Sequence, residues 1–185
     1  MKKNGILFSL MMLAVMLLNP VQAMAENAID PQALVGTWVG EEQTEKDKEN
    51  NATVKSVDTE VYNADGSYKS ISKITISEKM TDGITATVTI KCTVTAVGTW
   101  SLKGNKIHYT YDKKKSTLTI DDLGIKTMGI NIKDPSIVDP VKEQFQKELK
   151  PEDVLSYQES TTVVSLDSNK MVQEDDGDKT TYTRK

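Results

Sequence analysis

The sequence predicts an all-β protein: an antiparallel up-and-down barrel of about 8–10 strands, with one short helix inserted before the last hairpins. Apolar and hydroxyl-bearing residues alternate along most of the chain, which is the period of a half-buried strand. Gly, Asn and Asp recur between the alternating segments, as they do in hairpin turns. One segment near residue 145 repeats instead every four residues. A meander of short hairpins closes readily into a barrel, and a two-sheet sandwich is the alternative.

The first 25 residues have the layout of a secretory signal peptide. Lys2 and Lys3 form a positive start, Gly5 to Leu18 is an unbroken apolar run, and Ala23-Met24-Ala25 is a small-x-small cleavage site. The run is shorter than the roughly 20 residues that span a bilayer. We expect cleavage after Ala25, with cleavage after Ala23 or an uncleaved anchor as alternatives. The remaining domain, residues 26–185, would then be periplasmic or secreted, without stable membrane insertion.

The composition excludes several classes of function. Removal of the signal peptide leaves 21 basic and 27 acidic residues, a net charge of −6, whereas nucleic-acid binding requires a basic surface. The chain has one Cys and one His. These counts exclude an internal disulfide framework, multi-Cys zinc sites and the catalytic zinc sites that need two or three His. The sequence therefore predicts no metal and no cofactor.

The clearest strand runs from Ile84 to Ala96, where apolar residues occupy one face and threonines most of the other. β-branched residues favour such a pleated surface. The remaining predicted strands are bounded by Gly, Asn, Asp or Lys turns. They are Leu34–Val39, Thr53–Tyr62, Ser67–Glu78, Thr99–Leu102, Ile107–Tyr111, Ser116–Ile120, Thr161–Leu166, Lys170–Gln173 and Lys179–Thr183.

A helix over residues 140–150 interrupts this pattern. Asp139 is a suitable N-cap, and Pro140 is favoured at the first helical position. Val141, Phe145 and Leu149 then recur every four residues before Pro151 ends the run. The helix either plugs a barrel mouth or covers a sheet edge, or it forms a lid over a binding cavity.

Two motifs at opposite ends of the domain suggest a family. Gly36-Thr37-Trp38 lies on the first predicted strand, and Arg184, the only Arg in the chain, lies on the last. This pairing resembles the lipocalin-like, or calycin, β-barrels, in which a Gly-x-Trp motif packs beneath an Arg of the final strand. The resemblance implies that Gly36, Trp38 and Arg184 close one end of the barrel. A guanidinium suits this position because it stacks on an indole and donates to backbone carbonyls.

The order of turn and tryptophan motifs along the chain is most similar to that of small exported bacterial lipocalin-like domains. These share an opening Gly-Thr-Trp, an Asn-x-Asp-Gly hairpin and a second Gly-Thr-Trp hairpin, here at Asn63–Gly66 and Gly98–Lys106. The predicted helix departs from the lipocalin pattern, in which the helix follows the eighth strand. The resemblance implies a barrel and a small apolar ligand.

Five residues are candidates for lining such a ligand site. Trp100 has the same parity as the apolar face of Ile84–Ala96, and a second inward face follows Ile107 on the neighbouring strand. Tyrosine hydroxyls in an apolar lumen could orient a ligand. The same side chains could instead fill the barrel. The predicted lining consists of Val88, Ile90, Trp100, Tyr109 and Tyr111.

No catalytic residue is predicted. His108 alternates with inward-facing neighbours and should face solvent, and no nucleophile motif accompanies it. Cys92 lies on the apolar face of a strand, where a small buried hydrophobe is expected. The leading hypothesis is therefore a non-enzymatic exported binding protein for a small apolar or amphipathic ligand. A structural or protein-interaction barrel with a filled core is the alternative. A lipid-type isomerase or cyclase would require a buried polar cluster.

Overall fold

The computed structural model describes residues 29–47, 51–80, 85–151 and 158–185. The predicted signal peptide lies outside this range. Two helices and eleven strands form in the order α1 (Pro31–Leu34), β1 (Gly36–Gly40), β2 (Gln43–Asp47), β3 (Ala52–Tyr62), β4 (Ser67–Met80), β5 (Ala86–Lys103), β6 (Lys106–Tyr111), β7 (Thr117–Thr127), β8 (Ile130–Ile132), α2 (Pro135–Glu148), β9 (Gln158–Leu166), β10 (Lys170–Asp175) and β11 (Asp178–Arg184).

Eight of these strands close into an antiparallel barrel, which confirms the predicted fold class. Around the barrel the order is β1, β3, β4, β5, β6, β9, β10 and β11, and β11 pairs with β1 to complete the ring. Closure places Trp38 of the first strand opposite Arg184 of the last. The helix that precedes the last hairpins is also present, as α2.

The sheet continues past one end of the barrel because β5 changes partners along its length. Residues Gly98–Lys103 of β5 pair with β6, whereas Ala86–Thr95 pair with β7. The first part of β5, together with the matching parts of β3 and β4 and with β2, β7 and β8, forms what we call the sheet extension. Helix α2 packs on the extension, mainly against β7.

The apolar side chains consequently form two cores. The barrel core holds Leu34, Trp38, Tyr62, Tyr68, Ala96, Ile107, Tyr109, Tyr111, Val163, Met171 and Tyr182. The extension core holds Ile90, Cys92, Val94, Leu118, Ile120, Leu123 and Leu149, with Val138, Val141 and Phe145 of α2 packed against it.

Several predicted boundaries differ from the structure. The predicted strands Ile84–Ala96 and Thr99–Leu102 are not separate, because residues 86–96 and 99–102 belong to the single strand β5; Ile84 lies outside the described residues. Gly98 gives no turn there; its missing side chain lets β5 pass close to β6, since a Cβ would overlap the Thr110 carbonyl. The first strand was predicted to begin at Leu34, but Leu34 ends helix α1 and β1 begins at Gly36. The polar strand β2 has no apolar alternation that would predict it, and the alternation in β8 covers only three residues.

The predicted start of α2 is also wrong. Two Asp-Pro pairs lie five residues apart in this part of the chain, and the earlier of the two begins the helix, with Asp134 as N-cap and Pro135 in the first turn. The Asp134 carboxylate accepts hydrogen bonds from the Ser136 N–H (3.0 Å) and hydroxyl (2.7 Å), which stabilise the earlier cap. Pro140 therefore lies inside the helix, where it cannot donate a backbone hydrogen bond. Neither described helix is long and apolar enough to cross a membrane.

Candidate functional site

One end of the barrel, which we call the closed end, is sealed by the two motif residues and α1. The Arg184 guanidinium carbon lies 4.1 Å from the centroid of the Trp38 ring. Its Nη1 donates to the Val35 carbonyl (2.7 Å) and its Nη2 to the Ala33 carbonyl (2.5 Å). The Trp38 indole Nε1 donates to the Leu34 carbonyl (2.8 Å). Because each donor reaches the α1 segment, the guanidinium and indole together hold this helix across the barrel end.

Gly36 is placed so that only glycine fits. Its φ is +142°, and a Cβ on it would lie 2.7 Å from Arg184 Nη1. A side chain here would therefore displace the guanidinium as well as strain the backbone. Gly36, Trp38 and Arg184 thus lie in mutual contact at the closed end.

Inward-facing side chains become more polar and less buried toward the opposite end, which we call the far end and define by Asp58, Ser72 and Glu159. Trp38 and Ile107 are both 0% exposed, whereas Tyr111 is 9% exposed. The three residues that define the far end are only partly buried. The barrel is thus packed with apolar groups at the closed end, while polar groups at the far end are within reach of solvent.

A hydrogen-bonded network crosses the barrel between these two ends. The Glu60 Oε2 accepts from the Tyr62 hydroxyl (2.5 Å) and from Gln173 Nε2 (2.9 Å). The hydroxyls of Tyr62 and Tyr109 are 2.6 Å apart. Gln173 Oε1 in turn accepts from the Thr161 hydroxyl (3.1 Å). These five residues, the Glu60 network, come from strands β3, β6, β9 and β10 and meet only because the barrel closes.

Glu60 is a carboxyl group in an unfavourable place for a charge. It is 7% exposed, and no described Lys or Arg forms an ion pair with it. Burial raises the pKa of its carboxyl to about 7, although hydrogen bonds from Tyr62 and Gln173 act in the opposite direction. Burial also raises the pKa of Asp58, which lies on the same face of β3. Strongly shifted carboxyl groups in a concave setting are typical of functional sites.

The structure brings together only part of the predicted lining. Tyr109 belongs to the Glu60 network, and the Tyr111 hydroxyl donates to Glu159 Oε2 (3.2 Å) at the far end. Trp100 packs edge-on against Tyr62, with ring centroids 5.2 Å apart, and its Nε1 donates to the Asn63 carbonyl (3.0 Å). Trp100 therefore stands at the closed end, beside the β3–β4 turn.

The expectation that Val88 and Ile90 share this lining requires correction. Ile90 belongs to the extension core, and Val88 packs against the same core. They have the inward parity of Trp100, but Ile90 lies ten residues, or about 33 Å, before it on the same strand. Parity fixes which face of β5 they occupy and does not fix where the barrel ends.

Sequence reasoning missed Glu60 and Gln173, the two polar groups at the centre of the site. Each lies two residues from an inward-facing apolar or aromatic residue, Glu60 before Tyr62 and Gln173 after Met171. Parity therefore placed both inside the barrel. Because a carboxyl and an amide usually face solvent, the inward parity of these two residues was not interpreted as burial.

The other residues considered for chemistry lie elsewhere. His108 is exposed on β6. Cys92 is 4% exposed in the extension core, and burial, with a smaller contribution from Asp121, raises its pKa to about 11. Over the ranges that the structure describes, no three His, Cys, Asp or Glu residues are placed to hold a metal ion.

A second concave surface, of about 480 Å³, lies outside the barrel between α2 and the β7–β8 hairpin. Leu123, Ile125, Ile132 and Val138 are among its lining residues. It belongs to the sheet extension and includes none of the residues of the Glu60 network. The barrel interior around Glu60 is the candidate site because it holds a buried carboxyl whose pKa is raised.

Comparison with known families agrees with this architecture. The lipocalin-like domain family matches residues 34–130, just over half of the chain, from the end of α1 to the start of β8. A search of curated proteins finds no match. The family match agrees with the Gly-Thr-Trp motif on the first strand and with the closed eight-stranded barrel. The chain belongs to the lipocalin-like domain family.

Proposed function

We propose that this protein is an exported, non-enzymatic binding protein that holds a small amphipathic ligand in the far half of its barrel. The observation that carries the proposal is the Glu60 network. A barrel that served stability alone would gain by filling this layer with apolar groups, because a buried carboxyl without a cationic partner destabilises the fold. The network instead places hydrogen-bonding groups in the barrel interior, beside the packed tyrosine rings.

The arrangement of the two ends supports binding at one of them. The closed end is occupied by Trp38, Leu34 and Arg184, so a ligand would enter at the far end. Its apolar part would pack on tyrosine rings, and its polar part would exchange hydrogen bonds with the network. Burial of apolar ligand surface would contribute roughly 25 cal/mol per Å² before the costs of binding.

Native mass spectrometry of the protein purified from its own host tests this proposal. We expect a discrete additional mass that leaves on mild activation and is recovered chemically unchanged. The protein mass should correspond to a chain beginning at Glu26, which tests export in the same spectrum. An apo mass, followed by failure to bind the neutral apolar dye Nile red, would refute the binding proposal.

A catalyst acting on a lipid-like substrate is the second candidate function. It is favoured by the Glu60 carboxyl, since a pKa of about 7 suits general acid–base chemistry. The same experiment separates the two candidates. Incubation with the recovered molecule should leave its structure unchanged if the protein only binds, and conversion to an isomer would identify an enzyme.

A further inference from the structure

We propose that the ligand is a small organic cation, a protonated or quaternary amine carried on an apolar body, and that Glu60 is its counter-charge. This inference rests on the proposed binding function and specifies its ligand class. It follows from three properties of the barrel interior: the position of the carboxyl, the arrangement of the tyrosine rings and the distribution of charge across the wall.

Among the described residues, Glu60 has hydrogen-bond donors but no Lys or Arg as an ion-pair partner. The Tyr62 hydroxyl and Gln173 Nε2 approach the same carboxylate oxygen, Oε2, the hydroxyls of Tyr68 and Tyr182 also interact with this carboxyl, and all four are neutral groups. Neutral donors satisfy a buried carboxylate only partly, so its ionised form remains costly. A cation bound beside Glu60 would supply the missing charge and would be held more strongly than in water because the surroundings exclude solvent.

The groups around Glu60 suit an ammonium ion. Tyr62, Tyr68, Tyr109 and Tyr111 form a continuous set of rings, with neighbouring centroids between 4.8 and 6.3 Å apart. The faces of aromatic rings attract cations, and a carboxylate combined with several rings is a common way to bind an amine. Five of the six tyrosines in the chain lie buried in this barrel, which is a concentration that random placement does not give.

Acidic side chains enter the barrel interior, whereas the lysines of β4 lie outside it. Along β4 the inward positions Tyr68, Ser70 and Ser72 alternate with the exposed Lys69 and Lys73. Among the described residues, inward-facing acids of the far half include Asp58, Glu60 and Glu159. The inward-facing cation at the closed end, Arg184, is already bonded to α1. The lumen is thus negative where a ligand would enter, and it should reject anions.

Three probes with similar apolar bodies and different charges test the inference. They are 2-phenylethylammonium, 2-phenylethanol and 3-phenylpropanoate, each titrated calorimetrically into the ligand-free full protein at pH 8, with Nile red as a neutral reference. We expect the ammonium compound to bind at least tenfold more tightly than the alcohol, and the carboxylate to bind most weakly.

Variants locate the source of the preference. Glu60→Gln should remove most of the advantage of the ammonium over the alcohol, whereas Glu45→Gln on the exposed strand β2 should leave it unchanged. Asp58→Asn, at the far end, should reduce the advantage about threefold, and it provides a second variant if Glu60→Gln does not fold. Retention of the full advantage in both Glu60→Gln and Asp58→Asn would overturn the assignment.

The outcomes separate this inference from the function on which it rests. Binding of Nile red or phenylethanol with no advantage for the ammonium compound would overturn the cation proposal and leave the binding function standing. Tighter binding of 3-phenylpropanoate than of the ammonium compound would also overturn the cation proposal and leave the binding function standing. Failure of Nile red and of all three probes to bind would refute the binding function itself.

Discussion

Arg184 lies over the indole of Trp38, with its guanidinium carbon 4.1 Å from the ring centroid, at the position where the last strand pairs with the first. The contact joins residues 146 positions apart in the chain. Because both Nη atoms also donate to carbonyls at α1, one side chain links β11, β1 and the helix that covers the barrel end. The pair therefore contacts both of the strands whose pairing closes the barrel.

Arg184→Ala should lower the free energy of unfolding by roughly 1–3 kcal/mol, because it removes a stacked cation and two hydrogen bonds to backbone carbonyls. Arg184→Lys should recover part of this loss, since an ammonium keeps the charge but cannot make both bonds in one plane. Urea denaturation of the two variants and of Lys185→Ala, an exposed neighbour, measures the effect. An unchanged free energy of unfolding in Arg184→Ala would contradict the proposed closure.

Gly36→Ala should destabilise the protein more than Gly129→Ala. Both glycines have positive φ, +142° and +81°, so both substitutions strain the backbone by about 1–3 kcal/mol. A Cβ at Gly36 would also meet Arg184 Nη1 at 2.7 Å, whereas nothing lies within 4 Å of a Cβ at Gly129. Thermal unfolding of the two variants compares them directly. Equal losses would mean that the guanidinium moves aside without cost.

The stability of the protein should decrease as the pH rises from about 4.5 to about 7 because of Glu60. The pKa of this carboxyl is raised in the folded state, so the folded protein keeps the proton over this interval after the unfolded chain has lost it. The difference amounts to about 3 kcal/mol, since each tenfold change in proton affinity is worth about 1.4 kcal/mol. Above pH 7 both states are ionised and the penalty is constant.

Glu60→Gln isolates this contribution. Urea unfolding of the wild type and of the variant at pH 5 and pH 7.5 should give a smaller pH-dependent loss in the variant. Asp58, whose pKa is also raised by burial, leaves a residual pH-dependent loss in the variant, and its charge is one of the causes of the raised Glu60 pKa. An identical pH dependence in the two proteins would show that Glu60 ionises without cost.

Gln146→Ala should expose the edge of β7. The Gln146 amide imitates a neighbouring strand: its Oε1 accepts from the Ile120 N–H (2.7 Å) and its Nε2 donates to the Leu118 carbonyl (3.0 Å). Loss of both bonds should cost about 1–2 kcal/mol and accelerate hydrogen exchange of the Ile120 amide. Gln144→Ala, which removes only an exposed bond to Glu148 on the same helix, is the control. Unaltered exchange at Ile120 would mean that α2 does not protect this edge.

The role of α2 shows what the sequence could and could not predict. The four-residue repeat of Val141, Phe145 and Leu149 predicted an amphipathic helix, and these side chains do face the extension core. The surface that they cover could not be predicted, because it is formed by β5 and β7. The extension exists only because β5 is longer than the part of it that pairs with β6. Of the alternatives considered for this helix, the contacts through Gln146 correspond to covering a sheet edge.

The sequence by itself determined the strand periodicity, the barrel class and most of the turns, and its resemblance to lipocalin-like barrels predicted the pairing of Gly-Thr-Trp with the terminal Arg. These properties are local, or they depend on a residue type that occurs once. Only the tertiary structure decided which inward-facing residues share one lumen: it moved Val88 and Ile90 to a second core and brought Glu60 and Gln173 together from positions 113 residues apart. Alternation fixes the face on which a side chain lies, whereas its neighbours on that face depend on strand register and on where each pairing ends, which are set by contacts between distant segments.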